Sequence, residues 1–389
     1  MAAIAPGAWL GLLGGGQLGR MFCMAAQSLG YKVVVLDPGS DSPAGSVADR
    51  HVAADYLDPH GLAELASVAV AATTEFENVP ATALDYLART ARVTPAAASV
   101  AIAQDRVSEK TFLSGHGFAV APFAVLRSDA DARDVGDALL PGIVKSARFG
   151  YDGKGQVRAR TREDVRAAWA EMRGQPCVLE RMIDLACEVS VIVARNERGA
   201  TLTWPVAENR HRDGILDVSI VPARVAPDLA ARARAVATGV ADALDYRGVL
   251  CVEMFVARDG ALLVNEIAPR PHNSGHYTID ACVTSQFEQQ ARVLADLPLG
   301  ETRQHTPAVM VNLLGDLWFE DAAAATPREP AWQEVLRHPE AKLHLYGKSQ
   351  PKRARKMGHV TCLGATLADA LATARSVKTA LGIPGALEI

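Results

Sequence analysis

Two carboxylates on neighbouring strand-like runs are the clearest source of chemistry in this sequence. The apolar runs 249–256 and 261–268 flank Asp259-Gly260, a dipeptide typical of a two-residue hairpin turn. With that turn, Glu253 lies directly opposite Glu266, at a Cβ separation of about 4.5–5.5 Å. Unpaired anions are costly to bury. The pattern therefore predicts a divalent cation, most readily Mg²⁺ with nucleotide phosphates completing its oxygen shell. The alternative is a hairpin edge that lies in solvent.

A polar loop follows the second carboxylate at once. Residues 268–276 contain two prolines that stiffen the backbone, and they present arginine, histidine, asparagine and serine side chains together. Polar groups concentrated in a loop immediately after a metal ligand are typical of a reaction site. The alternative, an ordinary surface loop, leaves that concentration unexplained.

Two glycine-rich segments could hold phosphate. Gly14, Gly16 and Gly19 form a GxGxxG pattern between a predicted strand and helix, which predicts backbone N–H groups at a helix N-terminus. Asp37 lies at the distance of a ribose-binding acid in a dinucleotide enzyme. A packing turn without any ligand is the alternative.

The second glycine-rich segment follows Lys145, which ends a predicted strand at 142–145. Residues 146–156 read SARFGYDGKGQ, a loop with three glycines and a lysine that can close over phosphates with its N–H groups. An ordinary hairpin loop is the alternative, although a lysine at the end of an apolar strand is unusual for one.

Other charged residues lie at predicted strand ends. Glu75 follows the strand at 68–73, on the ligand edge of an open α/β sheet, although a solvated loop acid fits nearly as well. Glu180 ends the strand at 177–180, where an acid suits an adenine amino group. A helix is predicted over 99–113. Five cations between positions 348 and 356 favour an anionic ligand over a solvated loop.

Length and composition bound the class of protein. The chain has 389 residues, enough for two or three domains, and its net charge of −4 gives no sign of a nucleic-acid or membrane surface. Its six cysteines form no CxxC pair and read as small core residues in a reducing compartment. No apolar run approaches the ~20 residues of a membrane span, so we expect a cytosolic protein.

Taken together, these strings resemble the ATP-grasp enzymes, and most closely the N5-carboxyaminoimidazole ribonucleotide synthetases of de novo purine synthesis. The resemblance extends over nearly the whole chain: LGGGQLGRM, QDR at 104–106, KSARFGYDGKGQ, ENRHRDGIL, NEIAPRPHNSGH and KMGHV. It implies an α/β protein with a Rossmann-like N-terminal domain (1–114), a central ATP-grasp domain (115–306) and a small C-terminal β-rich domain (307–389). It also implies a homodimer, and ATP, Mg²⁺, bicarbonate and 5-aminoimidazole ribonucleotide as ligands.

The resemblance also assigns roles to residues. Glu253 and Glu266 would hold the metal. The bicarbonate pocket would be Arg270, His272, Asn273 and Ser274, with Asp152 also acting in catalysis. The ribonucleotide would contact Gln17, Leu18, Glu75, Lys348, Arg355 and Lys356, together with Asp152. The nucleotide would contact Arg106, Lys145, Gly150, Tyr151, Asp152, Gly153, Lys154, Gly155, Gln156, Glu180, Arg181, Met182, Ile183, Glu188, His211, Asn265 and Glu266.

One segment departs from the family pattern. The family usually carries Arg-Pro-Gly-Arg before Lys-Met-Gly-His, whereas this chain has Lys352-Arg353-Ala354-Arg355. A differently shaped turn is expected there, with altered phosphate contacts.

Three rival functions remain open. The formate-dependent glycinamide ribonucleotide transformylases share the fold, but they tend to carry Glu-Leu after the glycines and His-Asp-Thr-Gly after the arginine. This chain has Gln17-Leu18 and His272-Asn273-Ser274-Gly275, which favours carboxylation. An NAD(P)-dependent oxidoreductase would leave the glutamate pair unexplained. A non-catalytic nucleotide sensor would bind ATP without releasing phosphate.

Overall fold

The N-terminal part of the chain is a parallel sheet flanked by helices. The computed structural model describes residues 2–148, 150, 155–321, 324 and 326–385. The five strands run in the order β3-β2-β1-β4-β5, with all neighbours parallel. The elements are β1 (Trp9–Leu13), α1 (Gln17–Ser28), β2 (Lys32–Leu36), β3 (Arg50–Val52), α2 (Pro59–Ala66), β4 (Ala69–Thr74), α3 (Ala81–Leu87), β5 (Arg92–Val93) and α4 (Ala97–Ala103).

A four-stranded antiparallel sheet follows, in the order β6-β9-β7-β8. Its helix α7 packs on the sheet through Val165, Ala168 and Trp169, which are buried with Val144 and Leu179. The elements are α5 (Arg106–Gly115), β6 (Phe123–Leu126), α6 (Asp129–Arg133), a 3₁₀ turn (Asp137–Leu139), β7 (Gly142–Ser146), β8 (Gln156–Ala159), α7 (Arg162–Glu171) and β9 (Cys177–Arg181).

The remaining strands form one nine-stranded sheet that joins the centre of the chain to its C-terminal part. Its order is β15-β14-β10-β12-β13-β16-β18-β17, with β11 paired to β10. The elements are β10 (Leu185–Arg195), β11 (Thr201–Thr203), β12 (Ala207–Arg212), β13 (Ile215–Val221), α8 (Pro227–Ala243), β14 (Gly248–Ala257), β15 (Leu262–Ala268), a 3₁₀ turn (Asn273–Gly275), α9 (Thr278–Ala281), α10 (Gln286–Leu294), β16 (Ala308–Leu314), a 3₁₀ turn (Gly315–Trp318), α11 (Trp332–Leu336), β17 (Ala341–Leu345), β18 (Lys356–Leu363) and α12 (Leu367–Ala380).

The antiparallel pairing of β13 with β16 makes the C-terminal strands a continuation of the central sheet. The three-part α/β organisation is therefore as expected, whereas the domain boundaries near 114 and 306 stay predictions. Among the described helices, none is long and apolar enough to cross a membrane. All six cysteines are free, and all except Cys187 are buried, as expected for core residues.

The helix predicted over 99–113 is two helices. The chain leaves α4 at Gln104, and Asp105 then caps α5, because its carboxylate accepts a hydrogen bond of 3.0 Å from the backbone N–H of Ser108. An acidic residue with an extended backbone is a preferred start for a new helix. Residues Arg106 and Lys110 of α5 reach the central sheet, where they contact Glu266 and the carbonyl of Asn265.

The hairpin β14–β15 has the predicted pairing at its acidic residues but a different turn. Near the turn, Val256 faces Leu262, and Gly260 (φ +85°) donates its N–H to the carbonyl of Ala257 at 2.9 Å. This is a three-residue loop rather than a two-residue one. A β-bulge at Asn265 then shifts the register by one residue, so Glu253 does face Glu266.

Candidate active site

Each carboxylate of the Glu253–Glu266 pair has its own protein partner. The Nε2 atom of His272 lies 3.0 Å from Glu253 Oε1, and Nη1 of Arg106 lies 3.2 Å from Glu266 Oε2. Burial alone would raise the pKa of Glu253, but His272, His211 and Lys356 lower it to about 2. The repulsion that suggested a cation is thus relieved by side chains, and that step of the sequence argument was wrong.

The pair nevertheless suits an added cation. The Glu266 side chain is 38% exposed, so its carboxylate can be reached from solvent. Asn265 stands beside it in the bulge, and its Oδ1 is buried without a hydrogen-bond partner among the described residues. A carboxylate and a free amide oxygen are the hard donors that Mg²⁺ prefers.

The polar loop after β15 is held from several sides. Arg270 forms a close ion pair with Glu77. Burial raises the pKa of Glu77, but the charge and hydrogen bond of Arg270 outweigh burial and lower this pKa to about 2. Gln286, at the start of α10, accepts from the N–H of His272 at 2.9 Å and donates to its carbonyl at 2.8 Å. The backbone of this loop is therefore fixed, and it includes a 3₁₀ turn at Asn273–Gly275.

Asn273 is the least satisfied polar side chain of this loop. It is 5% exposed, and neither its Nδ2 nor its Oδ1 has a hydrogen-bond partner in the described part of the chain. A buried donor or acceptor without a partner costs about 1–3 kcal/mol. An amide that presents one donor and one acceptor, next to His272, can bind a small oxyanion such as bicarbonate.

Glu180 lies in a buried cluster with two lysines. Its carboxylate is 2.9 Å from Nζ of Lys145 and 3.5 Å from Nζ of Lys110. Burial would raise the pKa of Glu180, but the two lysines lower it. The carboxylate therefore lies between two lysines, while its Oε1 accepts no hydrogen bond from the described residues, and its predicted contact with an adenine amino group stays a prediction.

The described residues at the start and end of the loop between β7 and β8 lie close together. An added Cβ on Gly155 (φ +67°) would lie 3.7 Å from Gly150 Cα, and the Gly155 carbonyl accepts from the N–H of Ser146. Gln156 begins β8 with its side chain exposed. The predicted ligands Tyr151, Asp152, Gly153 and Lys154 lie outside the described residues.

Two further residues of the predicted nucleotide site, Glu188 on β10 and His211 on β12, contact each other. His211 Nδ1 lies 2.9 Å from Glu188 Oε2. Burial would lower the pKa of His211, but Glu188, Glu253 and Glu266 raise it above its usual value. Arg181, the last residue of β9, and Met182 after it are exposed, and Ile183 is half-buried.

The glycine-rich turn after β1 binds the protein's own carboxylates. Glu75 accepts from the N–H groups of Gly16 (2.7 Å) and Gly19 (3.0 Å), and Asp37 accepts from Gly15 (2.8 Å). The predicted phosphate site at these N–H groups is therefore wrong. Asp37 also accepts from Tyr56, which leaves it unsuited to the ribose of a dinucleotide.

Residues predicted for one substrate meet across the two ends of the chain. Nζ of Lys348 donates to Gln17 Oε1 at 2.7 Å and to the carbonyl of Lys356 at 2.5 Å. Glu75 lies close enough that the charge of Lys348 lowers its pKa, although burial raises that pKa more. Leu18 is a core residue at 7% exposure, so only its backbone is available to a ligand.

The departure from the family turn is accommodated by backbone strain. Ala354 has φ +62°, the left-handed region that favours glycine. Its N–H donates to Asp316 at 2.8 Å, and Arg355 donates its guanidinium N–H to the carbonyl of Gln350 at 2.8 Å. The backbone thus adopts at Ala354 a conformation that suits glycine, and a differently shaped turn is not required.

Because alanine is strained at Ala354, we expect Ala354→Gly to raise the free energy of unfolding by up to about 1 kcal/mol. Denaturant unfolding of the two proteins measures this difference. Ala200→Gly in the exposed turn after β10 serves as a control that should give no gain. A lower stability for Ala354→Gly would contradict the strain.

Three residues that hold the site were not predicted from the sequence. Lys110 is fully buried and donates to the carbonyl of Asn265 at 2.8 Å, and Glu77 and Gln286 fix the polar loop. The spacing of Arg106 and Lys110, four residues apart on one helix face, could have indicated Lys110. No local signal marks Gln286.

Comparison with known proteins decides the family. Models of three domains match the chain: the ribonucleotide synthetase preATP-grasp domain (8–104), the ATP-grasp domain (111–287) and the phosphoribosylaminoimidazole carboxylase C-terminal domain (308–373). The N5-carboxyaminoimidazole ribonucleotide synthase of Brucella melitensis is 46% identical over 362 residues, covering 92% of this chain and 97% of the relative. The chain belongs to the N5-carboxyaminoimidazole ribonucleotide synthetase family.

Other members of the synthetase family agree in sequence and structure. The Bacillus subtilis synthase is 44% identical, with 92% of each chain covered. An ADP complex of an N5-carboxyaminoimidazole ribonucleotide synthetase superposes with a TM-score of 0.91 at 42% identity, covering 98% of both chains. The Aspergillus clavatus enzyme in complex with ADP and 5-aminoimidazole ribonucleotide has a TM-score of 0.87 at 30% identity, covering 97% of this chain and 99% of that one. The chain is thus a ligase of the ATP-grasp type.

Proposed function

We propose that this protein carboxylates 5-aminoimidazole ribonucleotide with bicarbonate at the expense of ATP, giving N5-carboxyaminoimidazole ribonucleotide, ADP and phosphate in purine biosynthesis. The observation that carries the choice of bicarbonate is the buried amide of Asn273 beside His272, which has no hydrogen-bond partner among the residues that the structure describes. Family membership supplies the nucleotide and the ribonucleotide.

The nucleotide would be bound between the two antiparallel sheets. Arg106 and Lys145 would contact its phosphates, with residues 150–156 closing over them; Glu188 and His211 would hold the ribose side. Glu253 and Glu266 would hold Mg²⁺, with Asn265 beside them, and Mg²⁺ would neutralise charge on the transferring phosphoryl group. The existing contacts of Arg106 with Glu266 and of Lys145 with Glu180 keep both cations in place before the nucleotide arrives.

The reaction has two steps in this account. A bicarbonate oxygen forms a bond to the γ-phosphorus of ATP as ADP leaves, which gives carboxyphosphate. The exocyclic amine then captures the carboxyl carbon, either directly or as CO2, and phosphate leaves. Arg270 and Asn273 would bind the carboxyl oxygens, Ser274 would hold His272 beside them, and exclusion of water would protect the labile anhydride.

The ribonucleotide would lie where the N-terminal and C-terminal parts meet. Gln17 and Lys348 already contact each other there, and Glu75, Arg355 and Lys356 are further ligands in this proposal. The charge of Lys356 also lowers the pKa of Glu253. This effect supports a ribonucleotide site next to the phosphoryl-transfer centre.

A phosphate-release assay tests the proposed function. The purified enzyme receives ATP, Mg²⁺ and bicarbonate, with and without 5-aminoimidazole ribonucleotide, and in a parallel arm formate with glycinamide ribonucleotide. We expect the aminoimidazole substrate to stimulate release and to be converted to its carbamate. Stimulation only by formate and glycinamide ribonucleotide would instead support the transformylase reading, and ATP binding without release would support a sensor.

Lys348→Ala should raise the KM for the ribonucleotide by about 10- to 100-fold while changing the KM for ATP little, because a lost charged contact is worth about 1.5–3 kcal/mol. Steady-state kinetics with each substrate varied in turn measures both constants. Lys342→Ala, an exposed lysine on the neighbouring strand β17, is the matched control. Equal effects on the two KM values would remove Lys348 from the ribonucleotide site.

The homodimer and the cytoplasmic location are further parts of the proposal. Both follow from the synthetase family rather than from contacts within the chain. Light scattering behind size-exclusion chromatography measures the mass, for which we expect twice the 41.2 kDa of one chain.

A further inference from the structure

The imidazole of His272 is the middle of a hydrogen-bonded chain. Its Nε2 lies 3.0 Å from Glu253 Oε1, and its Nδ1 lies 2.9 Å from the hydroxyl of Ser274. The backbone N–H of Ser274 also points at Nδ1, at 3.3 Å. Both ring nitrogens therefore have defined partners.

The chain continues from Ser274 into the central sheet. Ser274 Oγ lies 2.7 Å from Ser190 Oγ, Asn209 Nδ2 donates to Ser190 Oγ at 2.9 Å, and Ser219 donates to Asn209 Oδ1 at 2.8 Å. All four side chains are at most 5% exposed, so solvent does not compete for these bonds.

The pairing of strands in the central sheet fixes the positions of these hydrogen-bonded side chains. Ser190 is the direct cross-strand partner of Glu253, and Asn209 is the direct partner of Ser219. Their positions are set by backbone pairing on β10, β12, β13 and β14, and not by flexible loops. A residue on a rigid strand can hold its neighbour more precisely than a residue on a loop.

One direction of donation satisfies every contact in this hydrogen-bonded series. Asn209 donates to Ser190 Oγ, and in this direction the Ser190 hydroxyl donates its own proton to Ser274. Ser274 in turn donates to Nδ1 of His272; the other group beside it, the thiol of Cys251, is a weak acceptor. The backbone N–H of Ser274 requires the same lone pair on Nδ1.

We propose that Ser190, held by Asn209 and Ser219, is a positioning residue that keeps His272 in the Nε2–H tautomer. His272 then donates that proton to Glu253 Oε1, which orients this carboxylate and leaves its other oxygen for the cation. Residues that do not bind the metal themselves orient a metal-binding carboxylate in this way, by donating hydrogen bonds to it. The link to catalysis rests on the proposed carboxylation, whereas the tautomer does not.

The tautomer can be measured directly. Long-range proton–nitrogen correlation spectra of enzyme labelled with ¹⁵N-histidine distinguish protonated from bare ring nitrogens, and the His272 signals are those lost in His272→Gln. We expect a bare Nδ1 and a protonated Nε2 in the wild type. In Ser190→Ala the Ser274 hydroxyl loses its donor and can accept from Nδ1–H, so a fraction of that tautomer should appear despite the long 3.3 Å contact from the Ser274 N–H. A protonated Nδ1 in the wild type, alone or with Nε2, would overturn the proposal.

Kinetics of the same variants test the consequence. Ser190→Ala should lower kcat/KM for bicarbonate by about tenfold with little change in the KM for ATP, and Ser190→Thr, which keeps the hydroxyl, should restore most of it. Ser99→Ala removes a buried hydroxyl that does not belong to this hydrogen-bonded series of side chains, and it serves as the control. If Ser190→Ala left both tautomer and kinetics unchanged, the positioning role would be refuted. A wild type that does not carboxylate would refute the proposed function and leave the tautomer result standing.

Discussion

Glu266→Gln should lower Mg²⁺-dependent turnover by about 100-fold or more, since it removes one of the two carboxylates proposed to hold the cation and so weakens charge neutralisation in phosphoryl transfer. The fold should persist. Glutamine has the same shape, and the Glu266 side chain is 38% exposed, with Arg106 as its ion-pair partner. Turnover measured over a series of Mg²⁺ concentrations should show both a lower maximum and a higher Mg²⁺ requirement.

A matched variant separates this effect from general damage. Glu301→Gln removes a carboxylate that pairs with Arg303 on the surface, and it should leave turnover unchanged. Thermal unfolding of Glu266→Gln should remain close to that of the wild type. Wild-type turnover in Glu266→Gln would eliminate Glu266 as a metal ligand.

Asn273→Asp should raise the KM for bicarbonate by about 1,000-fold, because it places a negative charge where an anion is proposed to bind. Two like charges about 4 Å apart repel by about 4 kcal/mol at an effective dielectric constant near 20. The rate of phosphate release measured against bicarbonate concentration gives this KM, and the KM for ATP should change much less.

A neutral substitution at the same position provides the sharper control. Asn273→Ala removes both hydrogen-bonding groups without adding charge, so we expect about a tenfold effect on the bicarbonate KM. Because the amide has no partner among the described residues, its loss should not lower the stability of the ligand-free enzyme by the usual cost of a broken hydrogen bond. A normal bicarbonate KM in both variants would exclude Asn273 from the pocket.

The glutamate pair shows what sequence patterns can and cannot provide. Alternating apolar runs around Asp259-Gly260 predicted the hairpin and the pairing of Glu253 with Glu266. The pairing holds because two departures cancel: the turn is one residue longer, and the bulge at Asn265 takes up that residue. A dipeptide of this kind is compatible with both two- and three-residue loops, so the sequence could not distinguish them.

Long-range partners were the part that sequence reasoning missed. The N–H groups of the glycine-rich turn are bound by Glu75 and Asp37, and the carboxylate of Glu180 is bound by Lys145 and Lys110. Nothing in the local pattern around the glycines indicates which distant acid will reach them. By contrast, the polar loop at 268–276 was recognisable because its residue types are unusual for a surface loop.

We propose that bicarbonate is phosphorylated at the centre formed by the glutamate pair and the polar loop. Turnover with ¹⁸O-labelled bicarbonate tests it most directly, because a bicarbonate oxygen that attacks the γ-phosphorus stays on the phosphate when the carboxyl carbon leaves. Mass spectrometry of the released phosphate should show one ¹⁸O atom per molecule when the enzyme turns over with 5-aminoimidazole ribonucleotide, ATP and Mg²⁺. Phosphate that carries no label beyond natural abundance would mean that water attacks ATP, and it would contradict this account.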